Sequence, residues 1–172
     1  RLREDAFMKP LPRMTWTAAV LTFLCVLSAA SAPGATSRGT EAEEILGASG
    51  VEGGLVVHLN CGDGSLTAEL GADGPYLVRG LEREADEVQK ARERIMSRGL
   101  YGDVSVAHWT QKRLPFTDNL VDLVVCRGKL PVSRNEVMRV LSPEGVVCLK
   151  RDGEWITRAK PWPEEIDEWT HF

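Results

Sequence analysis

The residues best placed for chemistry lie in Leu55–Thr67, LVVHLNCGDGSLT. An apolar run, Leu55, Val56 and Val57, breaks at Asn60-Cys61-Gly62-Asp63-Gly64, and Leu66 and Leu70 then fall at helical i, i+4 spacing. A strand that runs through glycines into a helix presents backbone N–H groups at the helix N-terminus, where a nucleotide-like ligand can approach the backbone. Glu82 follows 18 residues after Gly64. A carboxylate after the next strand can accept hydrogen bonds from both hydroxyls of a ribose, while the glycine turn takes the rest of the nucleoside. His58 reads as a partly buried histidine with a local hydrogen bond rather than a general base, because no acid or nucleophile is tied to it by spacing. Cys61 reads as a small turn residue rather than a nucleophile.

The elements that must position these residues can be followed along the chain. Thr40 and Glu43 form a capping box that opens a helix through Leu46. Leu55–Leu59 is a strand, Ser65–Leu70 a short helix, and Tyr76–Leu81 a second strand after the Asp73-Gly74-Pro75 turn. From Glu84 to Arg98, Ala85, Val88, Ala91 and Ile95 make one apolar helical face, and Gly99 ends it. Val104 and Val106 mark a third strand, and Leu120–Val125 a fourth, apolar apart from Asp122 as buried parallel strands tend to be. Ser133 and Glu136 predict a second capping box, Val146–Leu149 a fifth strand, and Glu154–Thr157 an edge strand. No helix is evident between the third and fourth strands. The order predicts an α/β fold, doubly wound and Rossmann-like with a mostly parallel sheet, whose ligands sit at the carboxyl ends of the strands.

Two nucleoside ligands suit the glycine turn and Glu82, a dinucleotide or S-adenosylmethionine. Gly62-x-Gly64-x-x-Thr67 lacks the third glycine of the dinucleotide fingerprint, and little chain follows the fifth strand. The segments LPFTDNLVDLV at Leu114–Val124 and EVMRVLSPEG at Glu136–Gly145 decide between them. With the glycine turn and Gly80-Leu81-Glu82, they closely resemble the motifs of class I S-adenosylmethionine-dependent methyltransferases of the small-molecule "type 11" group, over about residues 42–150. The resemblance implies that Asn60, Cys61, Gly62 and Gly64 line the methionine and ribose side of S-adenosylmethionine. It implies ribose contacts for Glu82, with Leu81 and Arg83 flanking the adenine. His108–Thr110 would meet the adenine ring, with Thr110 at the position nearest its amino group. Cys126 and Arg127 would face the methyl group and a small-molecule acceptor. The chain departs from the pattern at His58, where the family usually has an acid, at Asn60, usually glycine, and at Thr110, often aspartate. His58 and Thr110 each take away an acidic partner of the cofactor and Asn60 adds a side chain where the backbone must approach it, each change weakening binding by on the order of 1 kcal/mol. The resemblance also implies a fold truncated after its fifth strand, the usual sixth and seventh strands not being evident.

The remaining features concern organisation. At 172 residues with 43% hydrophobic and 27% charged content, the chain has room for one ordinary soluble domain. Lys9 and Arg13 precede a charge-free stretch from Met14 to Ser37 with its apolar centre at Ala18–Leu27, and Ser28-Ala29-Ala30 follows. That layout predicts a secretory signal peptide or a membrane anchor over residues 1–32, hence an exported or membrane-tethered protein. Residues 33–39 read as a small-residue linker and 40–158 as the methyltransferase-like domain. Residues 159–172, ending in EEIDEWTHF, read as a linker into a further C-terminal domain, and they resemble the lead-in to quinoprotein-like β-propellers of exported bacterial proteins. The net charge of −4 comes without clusters of Lys and Arg, so no nucleic-acid footprint is read, and the membrane is reached only through the N-terminal segment. Cys61, Cys126 and Cys148 lie beyond the signal without CxxC spacing, which indicates neither a zinc site nor a full disulfide framework. A rival to the enzyme is a Rossmann-like scaffold that does no catalysis.

Overall fold

The computed structural model describes residues 40–162. The apolar N-terminal segment, the 33–39 linker and the acidic, aromatic end of the chain lie outside the described residues. Among the described residues no helix is long and apolar enough to cross a membrane.

Helix α1 (Glu41–Ser49) starts at the predicted capping box: Thr40 Oγ1 accepts from the Glu43 N–H at 3.3 Å, and Glu43 Oε2 accepts from the Thr40 N–H at 2.7 Å. It runs on past Leu46 until Gly50 closes it in the left-handed region. Strand β1 (Gly54–Leu59), helix α2 (Ser65–Leu70), strand β2 (Tyr76–Glu82), helix α3 (Ala85–Ser97) and strand β3 (Val104–His108) follow in the expected order. Strand β4 (Val121–Arg127) comes after a helix-free connection, then helix α4 (Arg134–Val140), strand β5 (Leu141–Arg151) and strand β6 (Glu154–Ala159). The predicted second capping box is half formed. Ser133 Oγ accepts from the Glu136 N–H at 3.2 Å, but the Glu136 carboxylate turns away to Arg139 and to the Leu114 N–H. A guanidinium and a buried backbone donor outcompete the exposed Ser133 N–H for that carboxylate.

The six strands form one sheet in the order β3-β2-β1-β4-β5-β6, all parallel except β6, which pairs antiparallel with β5. Helices α1, α2 and α3 cover one face, packing Ile45, Leu66, Leu70, Ala91 and Ile95 on Val56, Val78 and Val125. The other face carries α4 and the β3–β4 connection, with Val137, Val140, Trp109 and Leu114 on Val57, Leu81, Val124 and Val147. Burial of such an aliphatic side chain contributes about 1.5–3 kcal/mol, so these two layers supply the main cohesion of the domain. Asp122, the polar interruption in β4, has a structural task. It accepts from the Leu55 N–H at 2.9 Å and from Ser142 Oγ at 3.1 Å, fixing the amino ends of β1 and β5 to β4.

Candidate functional site

Strand β1 sits where the strand order reverses, between β2 and β4, and its carboxyl end opens the crevice in which such sheets bind ligands. The turn leaving β1 is tied to the end of β2: the N–H groups of Asn60 and Cys61 both donate to the Leu81 carbonyl, at 2.9 and 3.4 Å. Asn60, Gly62 and Gly64 take positive φ of 54°, 54° and 73°. Asn tolerates this region better than most residues, so the turn forms without the first glycine.

The two glycines do different work. A Cβ on Gly64 would lie 2.7 Å from Ala91 Cβ and 2.9 Å from Ala91 Cα, so this glycine lets α3 pack against the turn. A Cβ on Gly62 would meet nothing within 4 Å, so its backbone faces open space. Arg94 of α3 holds the turn from the side, donating to the Asp63 carbonyl at 3.1 Å and to its carboxylate at 2.7 Å.

Glu82, at the end of β2, is 7% exposed, and three backbone donors hold its carboxylate. Oε2 accepts from the Gly62 N–H at 2.6 Å, and Oε1 from the N–H groups of Arg83 at 2.7 Å and Glu84 at 3.3 Å. An ionised carboxylate offers about four acceptor positions, which leaves about one for a ligand donor. Beside it, the Trp109 N–H donates to the Glu82 carbonyl at 2.7 Å, the Trp109 ring is buried, and the Arg83 guanidinium lies over it, 5.3 Å from its centroid. His108 Nε2 is 2.9 Å from the Arg83 carbonyl.

The structure thus brings Asn60, Cys61, Gly62, Gly64 and Glu82 into one place. Thr110 stands one residue past Trp109, exposed, and its side chain makes no hydrogen bond among the described residues. The Cys61 side chain points away into the core under α2 and α3, where burial and then the Glu82 charge push its thiol up to about 12. Only its backbone belongs to the turn. Cys126 is buried on the opposite, α4 face, its thiol raised to about 11 by burial, and Arg127 is engaged by Glu41 of α1. Glu41 also accepts from Lys150 Nζ at 2.5 Å. Burial opposes ionisation of Glu41, yet the hydrogen bonds from Lys150 and Arg127 hold its carboxyl below the usual range.

His58 is fully rather than partly buried. Its Nδ1 is 2.8 Å from Thr67 Oγ1, and its Nε2 has no partner among the described residues. Burial, reinforced by the Arg127 charge and opposed by Glu41, pushes its pKa down to about 3. It is a neutral core residue with no path to act as a base.

Sequence reasoning passed over the far wall of the crevice. Asn60 Nδ2 donates to the Lys129 carbonyl at 3.5 Å, and Arg83 Nη2 to the Pro131 carbonyl at 3.2 Å. These residues and Leu130 line a cavity of about 370 Å³, within the ~300–1,000 Å³ of small-molecule sites. Leu130-Pro131, an apolar pair directly after a charged loop, was the available signal.

A sequence profile for the methyltransferase domain matches residues 56–153, more than half of the chain. The chain belongs to the methyltransferase domain family. Solved structures share the fold of this methyltransferase domain. A protein from Methanococcus maripaludis assigned as an S-adenosyl-L-methionine-dependent methyltransferase superposes with a TM-score of 0.58 at 23% identity, covering 63% of this chain and 52% of that one. An S-adenosylmethionine-dependent methyltransferase from Aquifex aeolicus gives 0.56 at 22% identity, over 74% of this chain and 72% of that one. Geranyl diphosphate C-methyltransferase from Streptomyces coelicolor A3(2), solved with Mg2+, geranyl diphosphate and S-adenosyl-L-homocysteine, gives 0.57 at 17% identity, over 63% and 44%. The chain therefore spans about half the length of the first of these. No curated protein sequence matches it.

Proposed function

We propose that this domain binds S-adenosylmethionine in the crevice above β1, β2 and β4 and serves methyl transfer to a small-molecule acceptor. The observation that carries the reading is Glu82: a buried carboxylate anchored to the Gly62 N–H, with about one acceptor position left, where the Gly62 backbone faces open space. The residues present fit the cofactor. Glu82 would hold a ribose hydroxyl, the Gly62 backbone would allow close approach, and Arg83 with Trp109 would border the adenine side. Bound there, the cofactor would supply an electrophilic methyl group to the acceptor's lone pair, leaving a neutral thioether, and the acceptor's proton would pass to water. The chain contributes positioning, which such in-line displacement needs most. His58 and Cys61 are buried and neutral, so neither takes that proton.

A second reading, a binding or scaffold module without turnover, is supported by the side chains that span the crevice, Asn60 to Lys129 and Arg83 to Pro131. Calorimetric titration of the purified chain with S-adenosylmethionine and S-adenosylhomocysteine separates the two. Binding that disappears in Glu82→Ala, while the variant keeps the parent's circular dichroism, supports the first; no heat at millimolar ligand overturns it. We also propose that residues 1–32 export or tether the protein. Sequencing of the mature N-terminus tests this, and intact chain in the cytosol overturns it.

A further inference from the structure

Three cavities adjoin along the carboxyl edge of β4 and β5 and the open face beyond α4, and they meet at Leu130. The cavity beside Asn60 and Arg83 shares Lys129 and Leu130 with a second, of about 570 Å³, that adds Arg134, Lys150 and Arg151. The second shares Leu130, Arg134 and Arg151 with a third, of about 270 Å³, on the sheet face between α4 and β6. The floor of that third cavity is apolar, made by Val137, Met138, Val147, Leu149 and Ile156, and Ile156 is 44% exposed. Its rim carries Arg134, Arg151 and Arg158. The groove exists because β6 follows β5 through a hairpin, so among the described residues no helix covers the sheet past α4.

The charge here runs against that of the molecule. The chain is net −4, yet Lys129, Arg134, Arg151 and Arg158 gather along the run, with Asp152 the only acid lining it among the described residues. Among the described residues none of the four forms an ion pair. Lys150, by contrast, is neutralised by Glu41. Arginines around a concave apolar floor suit an anionic head on an apolar body, since a guanidinium binds carboxylate or phosphate with paired donors while the floor buries the chain.

We propose that the acceptor class of this domain is an amphiphilic anion, an apolar chain bearing a carboxylate or phosphate, lying in the α4–β6 groove with its head among Arg134, Arg151 and Lys129. This rests on the methyltransferase reading for the role of the ligand, though not for its binding. The test is titration of the purified full chain, without cofactor, with decanoate, decyl phosphate, 1-decanol and decyltrimethylammonium below their micelle concentrations. A peptide of residues 163–172 is titrated in parallel, because that acidic segment is the rival occupant. Both anions should bind at least tenfold more tightly than the alcohol, and the ammonium should not bind. A difference between decanoate and decyl phosphate identifies the head group. Arg134→Glu with Arg151→Glu should lower anion affinity at least tenfold while leaving S-adenosylmethionine binding within twofold, which also reports that the variant folds. Equal binding of decanol, unaltered affinity in the double variant, or tighter binding by the peptide than by either anion overturns the proposal. If the anions bind and S-adenosylmethionine does not, the methyltransferase reading fails and the amphiphile site stands. If the cofactor binds and the anions do not, only the acceptor class falls.

Discussion

The crevice has two walls built on opposite plans. On the β1–β2 side a buried carboxylate is surrounded by backbone donors: Glu82 holds Gly62, Arg83 and Glu84, and the Trp109 backbone N–H donates to the Glu82 carbonyl. On the β4–β6 side, Lys129, Arg134, Arg151 and Arg158 stand at the surface around an apolar floor, and none of these four forms an ion pair among the described residues. The first wall is stiff, because its hydrogen bonds close short loops onto strand ends. The second is adaptable, because long side chains rather than backbone define it. A fixed wall suits a ligand that is always the same and an adaptable one suits a ligand that varies, which is the division expected between a cofactor and an acceptor.

The largest expected effect breaks the stiff wall from below. Gly64→Ala places a methyl against Ala91 at a positive φ, and backbone strain plus overpacking should cost about 3 kcal/mol in urea unfolding. Gly62→Ala, with open space around its Cβ, should cost only about 1 kcal/mol for its φ. Equal losses for the two would show that both glycines serve packing alone.

Glu82→Ala comes next. Loss of a charged acceptor from three backbone donors should lower stability by about 2 kcal/mol and remove cofactor binding. If the fold weakens while binding persists, the carboxylate is structural only.

The pH response of the core beneath β1 follows from His58. Its folded pKa, about 3, lies below the 6.5 of the free side chain, so the unfolded chain binds more protons between these values. Stability is then fully present above about pH 6.5 and falls as pH drops toward 3, at roughly 1 kcal/mol per unit. Thermal melts of His58→Met should lack that slope, and a variant that retains it would place the titration elsewhere.

The smallest effect lies in the links between the walls. Arg83→Ala removes one exposed hydrogen bond and one cation–π contact from an exposed guanidinium to the Trp109 ring, and should cost about 0.5–1 kcal/mol in chemical denaturation. Asn60→Gly should tighten S-adenosylmethionine binding a few-fold if its side chain narrows the entrance, and weaker binding would make the Asn60–Lys129 link part of the site.

The fold was legible because its signals are local and periodic. Thr40 with Glu43, the apolar face of α3 and the apolar run of β4, broken only by Asp122, each specify their element within a few residues. The α4 cap was read half correctly, since the destination of the Glu136 side chain depends on Arg139 and on Leu114, 22 residues away. At the site, the glycine turn and Glu82 could be read from type and spacing. The direction of Cys61, the burial of His58 and the closure by Lys129 and Pro131 could not, because each depends on how α2, α3 and the β4–α4 loop pack on the sheet.

By itself the sequence determined the alternation of strands and helices, the turn that ends β1 and the carboxylate that ends β2, because backbone propensity and hydrophobic period act over neighbouring residues. Only the tertiary structure decided that Gly64 is there for Ala91, that Glu82 is bonded to Gly62, and that four cations scattered over thirty residues of an acidic chain line one run of cavities. Their proximity comes from a parallel pair, β4 and β5, and an antiparallel return, β6. Pairing of that kind sets distance in space without leaving any regular spacing along the chain.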